Sequence, residues 1–196
     1  YQTRSAPMWD SQAKVYRFWI NGRPSAMAMA ACSYLESKDG LHWSKPSLGQ
    51  VEYGGSRDNN LVSIMVQGKA CAFENADYDP TDPDPTRRFK AIHRRAGLIG
   101  RLHRLVSDGV EWRSVGTPFE IRKGDEDNFS IDPVDGVYIA TLRHNGGPYG
   151  RAVDLATSRD FETWTKHGLI FHADELDQEL GRAHIEARLA DPTYLP

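Results

Sequence analysis

The 196-residue chain has a formal net charge of −3, with 39% hydrophobic and 26% charged residues, which excludes both a basic nucleic-acid surface and an acidic disordered tail. No run approaches the ~18 consecutive apolar residues of a membrane span, so neither nucleic acid nor a membrane is an expected partner. Five tryptophans, eight tyrosines, 17 glycines and 11 prolines suit strands joined by tight turns and predict an all-β protein.

The N-terminal YQTRSAPMWD lacks an initiator Met and the basic and apolar regions of a signal peptide, which fits a mature product or a fragment. Strands are then predicted at Met8-Trp9, Val15 to Ile20 and Met27 to Leu35, with a fourth after Trp43. Cys32 and Cys71 lie in the apolar contexts MAMAACSYL and KACAFEN, where buried thiols are expected, and they form no zinc pattern. Between strands stands SKDGLHW (Ser37 to Trp43). Its Asp side chain accepts from nearby backbone N–H groups, its Gly tolerates positive φ, and its Trp enters the next strand as a core wedge. SRDNN (Arg57 to Asn60 within it) precedes the apolar run LVSIMV and is expected where one unit hands over to the next.

The middle of the chain holds NADYDPTDPDPT, with Asp77, Asp79, Asp82 and Asp84. These could gather oxygens for a structural calcium, but the segment has neither the Gly turn nor the final Glu of an EF-hand loop, so a stiff solvated loop is expected and no cofactor is assigned. RRFKAIHRR and GRLHRLV follow as alternating basic strands, whose His93, His103, Arg94, Arg95, Arg101 and Arg104 predict an exposed basic face. EDNFSIDPVDGVYIATLRH then carries Asp127 ahead of the strand Asn128 to Ile131, and Arg143-His144 at the mouth of the Gly-rich loop HNGGPYGR. A second turn, SRDFETW, spans Ser158 to Trp164. Leu176, Leu180, Ala183 and Ala187 recur at helical spacing after Asp174, a candidate cap.

These pieces repeat. WDSQAKVYRFWI and IDPVDGVYIATL share Asp, five residues, then Tyr; the separations Asp10 to Asp39 and Asp132 to Asp160 differ by one residue, and VSDGVEW marks a third, shortened turn. Recurring Asp10 and Asp132 are therefore read as turn residues. Units of four short antiparallel strands stack radially to bury their faces, which predicts a β-propeller of about three blades: 8–55, 60–120 and 127–172, with 174–190 a helical or loop connection to a further blade. So few blades fit part of a longer propeller.

The Ser-x-Asp-x-x-x-Trp turn resembles the Asp box of sialidase-like propellers, one residue shorter between Asp and Trp. The ordered set MWDSQAKVYRFW, SKDGLHWSKPSLGQVEYGGSRDNNLV, RRFKAI, VSDGVEW, EDNFSIDPVDGVYIATLRH and RAVDLATSRDFETW resembles the five-bladed propellers of glycoside hydrolase family 32-like proteins, related in architecture to families 43 and 68. That resemblance implies a carbohydrate-active protein with an oligo- or polysaccharide partner and an extracytoplasmic or secreted location. The Trp-x-Asn-Asp-Pro-Asn, Arg-Asp-Pro and Glu-Cys motifs of sucrose-processing members do not occur here.

Glycoside hydrolysis uses two carboxyl groups across the scissile bond. Asp127, ahead of an innermost strand, is the first candidate; Glu126 beside it is expected to face the other way, and a solvated acidic turn is the alternative. Asp58 is the second, with Arg57, Asn59 and Asn60 suited to sugar hydroxyls, or else a capped loop. Asn128, Arg143 and His144 complete the substrate-binding set. The expectation is a glycosidase, with a non-catalytic carbohydrate-binding or protein-interaction propeller as the alternative.

Overall fold

A computed structural model describes residues 5–22, 31–73, 75–95, 100–121, 127–145 and 150–194. Residues 27–30 of the expected third strand, Glu74, Glu126 and 146–149 of the Gly-rich loop lie outside them, as do the side chains of Arg94 and Arg95. Among the described residues there are three four-stranded antiparallel sheets and one two-stranded hairpin. No described helix is long and apolar enough to cross a membrane.

The first blade comprises β1 (Met8–Asp10), β2 (Val15–Gly22), β3 (Ala31–Ser37) and β4 (Leu61–Val62). The hairpin β5 (Met65–Val66) and β6 (Lys69–Ala70) leads to the second blade, β7 (Asn75–Tyr78), β8 (Phe89–Arg95), β9 (Gly100–Ser107) and β10 (Trp112–Ile121). The third is β11 (Asn128–Asp132), β12 (Val137–Asn145), β13 (Arg151–Ser158) and β14 (Thr165–Phe171), followed by α1 (Glu175–Ala190). Each sheet runs in chain order from an innermost strand to an outer one. This is the propeller blade expected from the repeats.

One boundary differs from the sequence expectation. LVSIMV does not open the second blade: Leu61 and Val62 complete the first by pairing with Ser33 and Cys32. Ser44 pairs with Glu36 of β3, the chain then doubles back on itself between Leu48 and Asn59, and Asn60 fixes its return to β3 by donating from Nδ2 to the Tyr34 carbonyl at 2.7 Å. An apolar run specifies burial but not which sheet receives it.

The turns explain why the repeats are spaced as they are. Asp10 Oδ1 accepts from Gln12 and Ala13 N–H, both at 3.0 Å, and Asp132 Oδ1 accepts from Val134 N–H at 2.9 Å. In the Asp-box turn Asp39 Oδ1 accepts from Leu41 and His42 N–H, both at 2.8 Å, and Trp43 Nε1 donates back to the Gly40 carbonyl at 3.1 Å. The third-blade copy repeats each bond through Asp160 and Trp164. Gly40 has φ 76°, the left-handed region where a side chain is strained. Phe161 holds the same place at φ 64°, and its ring is fully buried against Phe129, Tyr138 and Trp164. Packing there outweighs backbone strain of order 1–2 kcal/mol.

The β-ladder register aligns the three blades residue by residue: Tyr16 faces Ser37, Phe89 faces Ser107 and Tyr138 faces Ser158. Arg17 and Lys90 therefore occupy one position in successive blades. Arg17 Nε donates to Asp10 Oδ2 at 2.9 Å, and its guanidinium lies 5.3 Å from the Phe89 ring centroid in the next blade. Gly109 there admits it, since a Cβ would fall 2.6 Å from Nη1. Lys90 Nζ lies 3.4 Å from Asp79 Oδ2 and stands over Tyr138 at 5.5 Å and Phe161 at 5.8 Å. The first and second blades thus each send a cation over an aromatic ring of the next.

Two expected surface features are buried instead. Arg104 is 1% exposed, and its Nη2 donates to the carbonyls of Thr117 at 2.7 Å and Glu162 at 2.8 Å; His103 beside it is buried as well. Of that expected basic face, Arg101 is exposed. The Asp loop is likewise no solvated arc. Asp82 Oδ2 accepts from Lys90 Nζ at 2.8 Å and faces Arg87 Nε at 3.4 Å, while Asp79 accepts from Thr81 and Tyr138. Three of the four carboxylates are matched to protein cations, Asp79 and Asp82 to Lys90 and Asp84 to Arg113 Nη2 at 3.8 Å, and Asp84 also caps a short 3-10 turn, Pro85–Arg87, by accepting from Thr86 N–H.

Candidate functional site

In a propeller the chemistry that a ligand meets comes from the strands around the axis. Here β1, β7 and β11 are the innermost strands, and side chains tie them together where backbone pairing is absent. Ala76 N–H donates to Ser5 Oγ at 2.7 Å; Asn75 Oδ1 accepts from Phe129 N–H at 3.0 Å, and Asp77 Oδ2 from Ile131 N–H at 3.3 Å. Burial raises the Asp77 carboxyl above the ordinary range, despite the N–H groups of Tyr78 and Ile131 that favour its charge. These bonds place the heads of β7 and β11 side by side, and with them one rim of the molecule.

Four of the residues singled out from sequence meet on that rim. Asp127 immediately precedes β11, is 0% exposed, and its Oδ1 accepts from Arg143 N–H at 3.0 Å. Asn128 starts the strand, is exposed and pairs with Thr141; Arg143 and His144 lie two and three residues further along β12, towards its end at Asn145. His144 Nδ1 lies 2.8 Å from Asp154 Oδ1 on β13, with side-chain exposures of 11% and 19%. A carboxylate can only accept, so Nδ1–H donates and Nε2 is left as the acceptor of the neutral ring. Asp154 is a partner that sequence reading missed, because the strand-to-strand register that brings it to His144 cannot be seen in one chain of letters.

Arg57, Asp58, Asn59 and Asn60 stand elsewhere. They belong to the loop before β4, the outermost strand of the first blade, three strand spacings or on the order of 14 Å from its innermost strand. Arg57 Nη1 donates to the carbonyls of Gly49 at 3.3 Å and Gln50 at 3.2 Å, and Asn59 Nδ2 to that of Val51 at 2.8 Å. Asp58 is exposed, with its N–H on Ser56 Oγ at 3.0 Å. Gln50 in the same loop reaches the Val110 carbonyl beside the second blade's Asp turn, at the end remote from the rim. The structure does not bring Asp58 and Asp127 together.

Beside the rim, one face of the third blade holds a cavity of about 280 Å3 lined by Asn128, Thr141, Arg143, Arg151, Val153 and Phe171, among others. Register explains the grouping: Asn128 pairs with Thr141, Arg143 with Val153, and Val153 with Phe171. Among the described residues no group of three or more His, Cys, Asp or Glu could hold a metal ion. Cys32 and Cys71 are buried, and desolvation pushes both thiols up to about 12; the Cys32 thiol donates to Asn21 Oδ1 at 2.8 Å. Neither is poised as a nucleophile.

No family model matches the sequence, and no curated protein matches it. Solved structures do. A fructofuranosidase from Schwanniomyces occidentalis complexed with fructosylnystose aligns over 87% of this chain and 34% of its own, with TM-score 0.62 and 13% identity. Fructan 1-exohydrolase IIa from Cichorium intybus in complex with 1-kestose aligns over 89% and 34%, with TM-score 0.61 and 15% identity. Sucrose-6-phosphate hydrolase from Lactobacillus gasseri aligns over 83% and 33%, with TM-score 0.53 and 12% identity. The chain has the blade architecture of glycoside hydrolase propellers and spans about a third of the length of these three.

Proposed function

We propose that the chain is part of a carbohydrate-active propeller whose sugar site lies on the rim formed by the head of β11 and the end of β12. The observation that carries this reading is the convergence of Asp127, Asn128, Arg143 and His144 at one end of a blade. Carboxamide, guanidinium and imidazole offer directed donors and acceptors to sugar hydroxyls, with the buried Asp127 carboxylate behind them. The fold likeness is to enzymes whose structures hold fructosylnystose and 1-kestose, which supports an oligosaccharide as the ligand class.

Hydrolysis by paired carboxylates is the finer reading, with Asp127 and Asp58 as its candidates. It requires two carboxyl groups roughly 5–9.5 Å apart across the bond, and Asp58, anchored to an outer strand, would have to reach the substrate from the perimeter. Asp127, its Oδ1 held by the Arg143 amide, favours a second reading in which the rim binds glycan without cleaving it. Turnover and binding of fructooligosaccharides by the protein, Asp127→Asn and Asp58→Asn decide between them. Turnover lost with binding retained in both variants supports the pair; turnover unchanged in Asp58→Asn removes Asp58. Binding without turnover by every form supports the non-catalytic reading, and absence of both rejects the site.

A further inference from the structure

Resting on that sugar-binding reading, we propose that Asp154 is a positioning residue of the site: it holds the His144 ring so that Nε2 accepts a hydrogen bond from a sugar hydroxyl at the junction of the second and third blades. The pair lies on the face of its blade that is turned toward the second. His144 pairs with Ala152 and Leu142 with Asp154 across β12 and β13, and Leu142 shares a core with Ile92, Leu102 and Val106 of the second blade. Side chains alternate along a strand, so His144 and Asp154 share that face, whereas Arg143 and Val153 share the outward one. A further blade stacked on the outward face would leave the pair uncovered.

The bonding of the pair is one-sided. Nδ1–H donates to Asp154 Oδ1 at 2.8 Å, the one side-chain bond of Asp154 among the described residues. Nε2 has no protein partner among the described residues and keeps contact with solvent. A pair that served the core alone would be satisfied at both ring nitrogens, and beside Leu142 and Ala152 two apolar residues would fill its place as well. Asp154 fixes two properties of the ring. The tautomer is set because a carboxylate can only accept, which keeps the proton on Nδ1; the orientation is set because turning the ring would break that bond. Nε2 is thereby an acceptor alone, and the chemistry that meets it is a hydrogen-bond donor. A sugar hydroxyl supplies one and retains its lone pairs for the donors of the site.

Titration of isotope-labelled protein with 1-kestose, the sugar held by the fructan exohydrolase, tests the inference when the ring nitrogens of His144 are followed by NMR. The ring is expected in its Nδ1–H form, and the Nε2 resonance should move as sugar is added while Nδ1 keeps its proton. Asp154→Ala, its fold checked by circular dichroism, is expected to release the ring to the Nε2–H form and to weaken 1-kestose binding about tenfold. Should that variant misfold, the wild-type resonances decide alone. An Nε2 that carries a proton in the wild type, or that does not respond while 1-kestose binds, overturns the inference and leaves the sugar reading standing. So does a folded Asp154→Ala that binds 1-kestose as the wild type does. Absence of 1-kestose binding by the wild type rejects the inference together with the sugar reading beneath it.

Discussion

The junction between the first and second blades and that between the second and third are built on one backbone plan and filled with different chemistry. In both, a cation on the second strand of one blade lies over an aromatic ring of the next. The first junction is then packed with rings: Trp19 stands edge-on to Phe73, Phe89 and Trp112 within 6.1 Å, and these join Tyr34 in a single core. The second is packed with Ile92, Leu102, Val106, Val115 and Leu142 around Phe129, Tyr138 and Phe161. Its edge carries a charged cluster, Asp79–Lys90–Asp82–Arg87–Glu162, that the first lacks among the described residues. Radial stacking therefore fixes where side chains meet and leaves open whether apolar area or paired charge holds the joint.

Two variants separate these modes. Trp19→Ala at the aromatic junction is expected to cost about 3–5 kcal/mol, because it removes a 1%-exposed indole from a core that cannot close around the gap. Lys90→Met at the charged junction should cost about 3 kcal/mol, since Asp79 and Asp82 lose a shared buried partner. Chemical denaturation reads both. Restoring most of the second loss by adding Asp79→Asn and Asp82→Asn would show that unpaired charge, not lost packing, is the cause. No rescue would mean that the lysine stem fills space which matters more than its charge.

The same contrast explains what could be read from sequence. The first and third blades were legible because their turns demand particular residues: Asp10 and Asp132 bridge backbone N–H groups, and Tyr16 and Tyr138 follow at a fixed interval. The second blade hides the motif. Asp79 and Phe89 hold the equivalent places, but the 3-10 turn Pro85–Arg87 lengthens the connection between them. Buried charge was misread for a related reason. Arg104 stands in a strand rich in basic residues, which suggested an exposed face, and its partners are carbonyls of Thr117 and Glu162, which no residue type announces. On the rim, residue types suggested Asp127 and His144, whereas Asp154, Arg151 and Phe171 depend on register across three strands.

A smaller difference distinguishes the Asp-box turns at the two ends. Gly40→Ala forces a side chain to φ 76° beside the Tyr16 ring, 3.6 Å from the new Cβ, and is expected to cost about 1 kcal/mol. Phe161→Gly relaxes the equivalent backbone and should nonetheless destabilise the protein, because the ring it deletes is fully buried. Denaturation midpoints that rise in Phe161→Gly would reverse this ranking of packing over strain.

The least effect is expected from pH, and it should concentrate at the charged junction. Burial alone would raise the Asp79 carboxyl, but hydrogen bonds from Thr81 and Tyr138 and the charge of Lys90 outweigh it and hold the group below its ordinary range. A carboxyl depressed in the folded state contributes stability that is present above its unfolded value of about 4 and lost as pH falls through its folded value. Asp77 has the opposite sign: raised by burial, it favours the folded state increasingly as pH falls toward the ordinary carboxylate range. Wild-type stability measured from pH 6 down to pH 2 should therefore decline most steeply below about pH 4. Asp79→Asn, less stable at pH 6, should decline less, so that the two curves converge in acid. Asp77→Asn should leave the steep acid limb in place. Parallel curves for wild type and Asp79→Asn would assign the acid loss to other carboxylates, with Asp160, also depressed by its turn's N–H groups against the effect of burial, the next to replace.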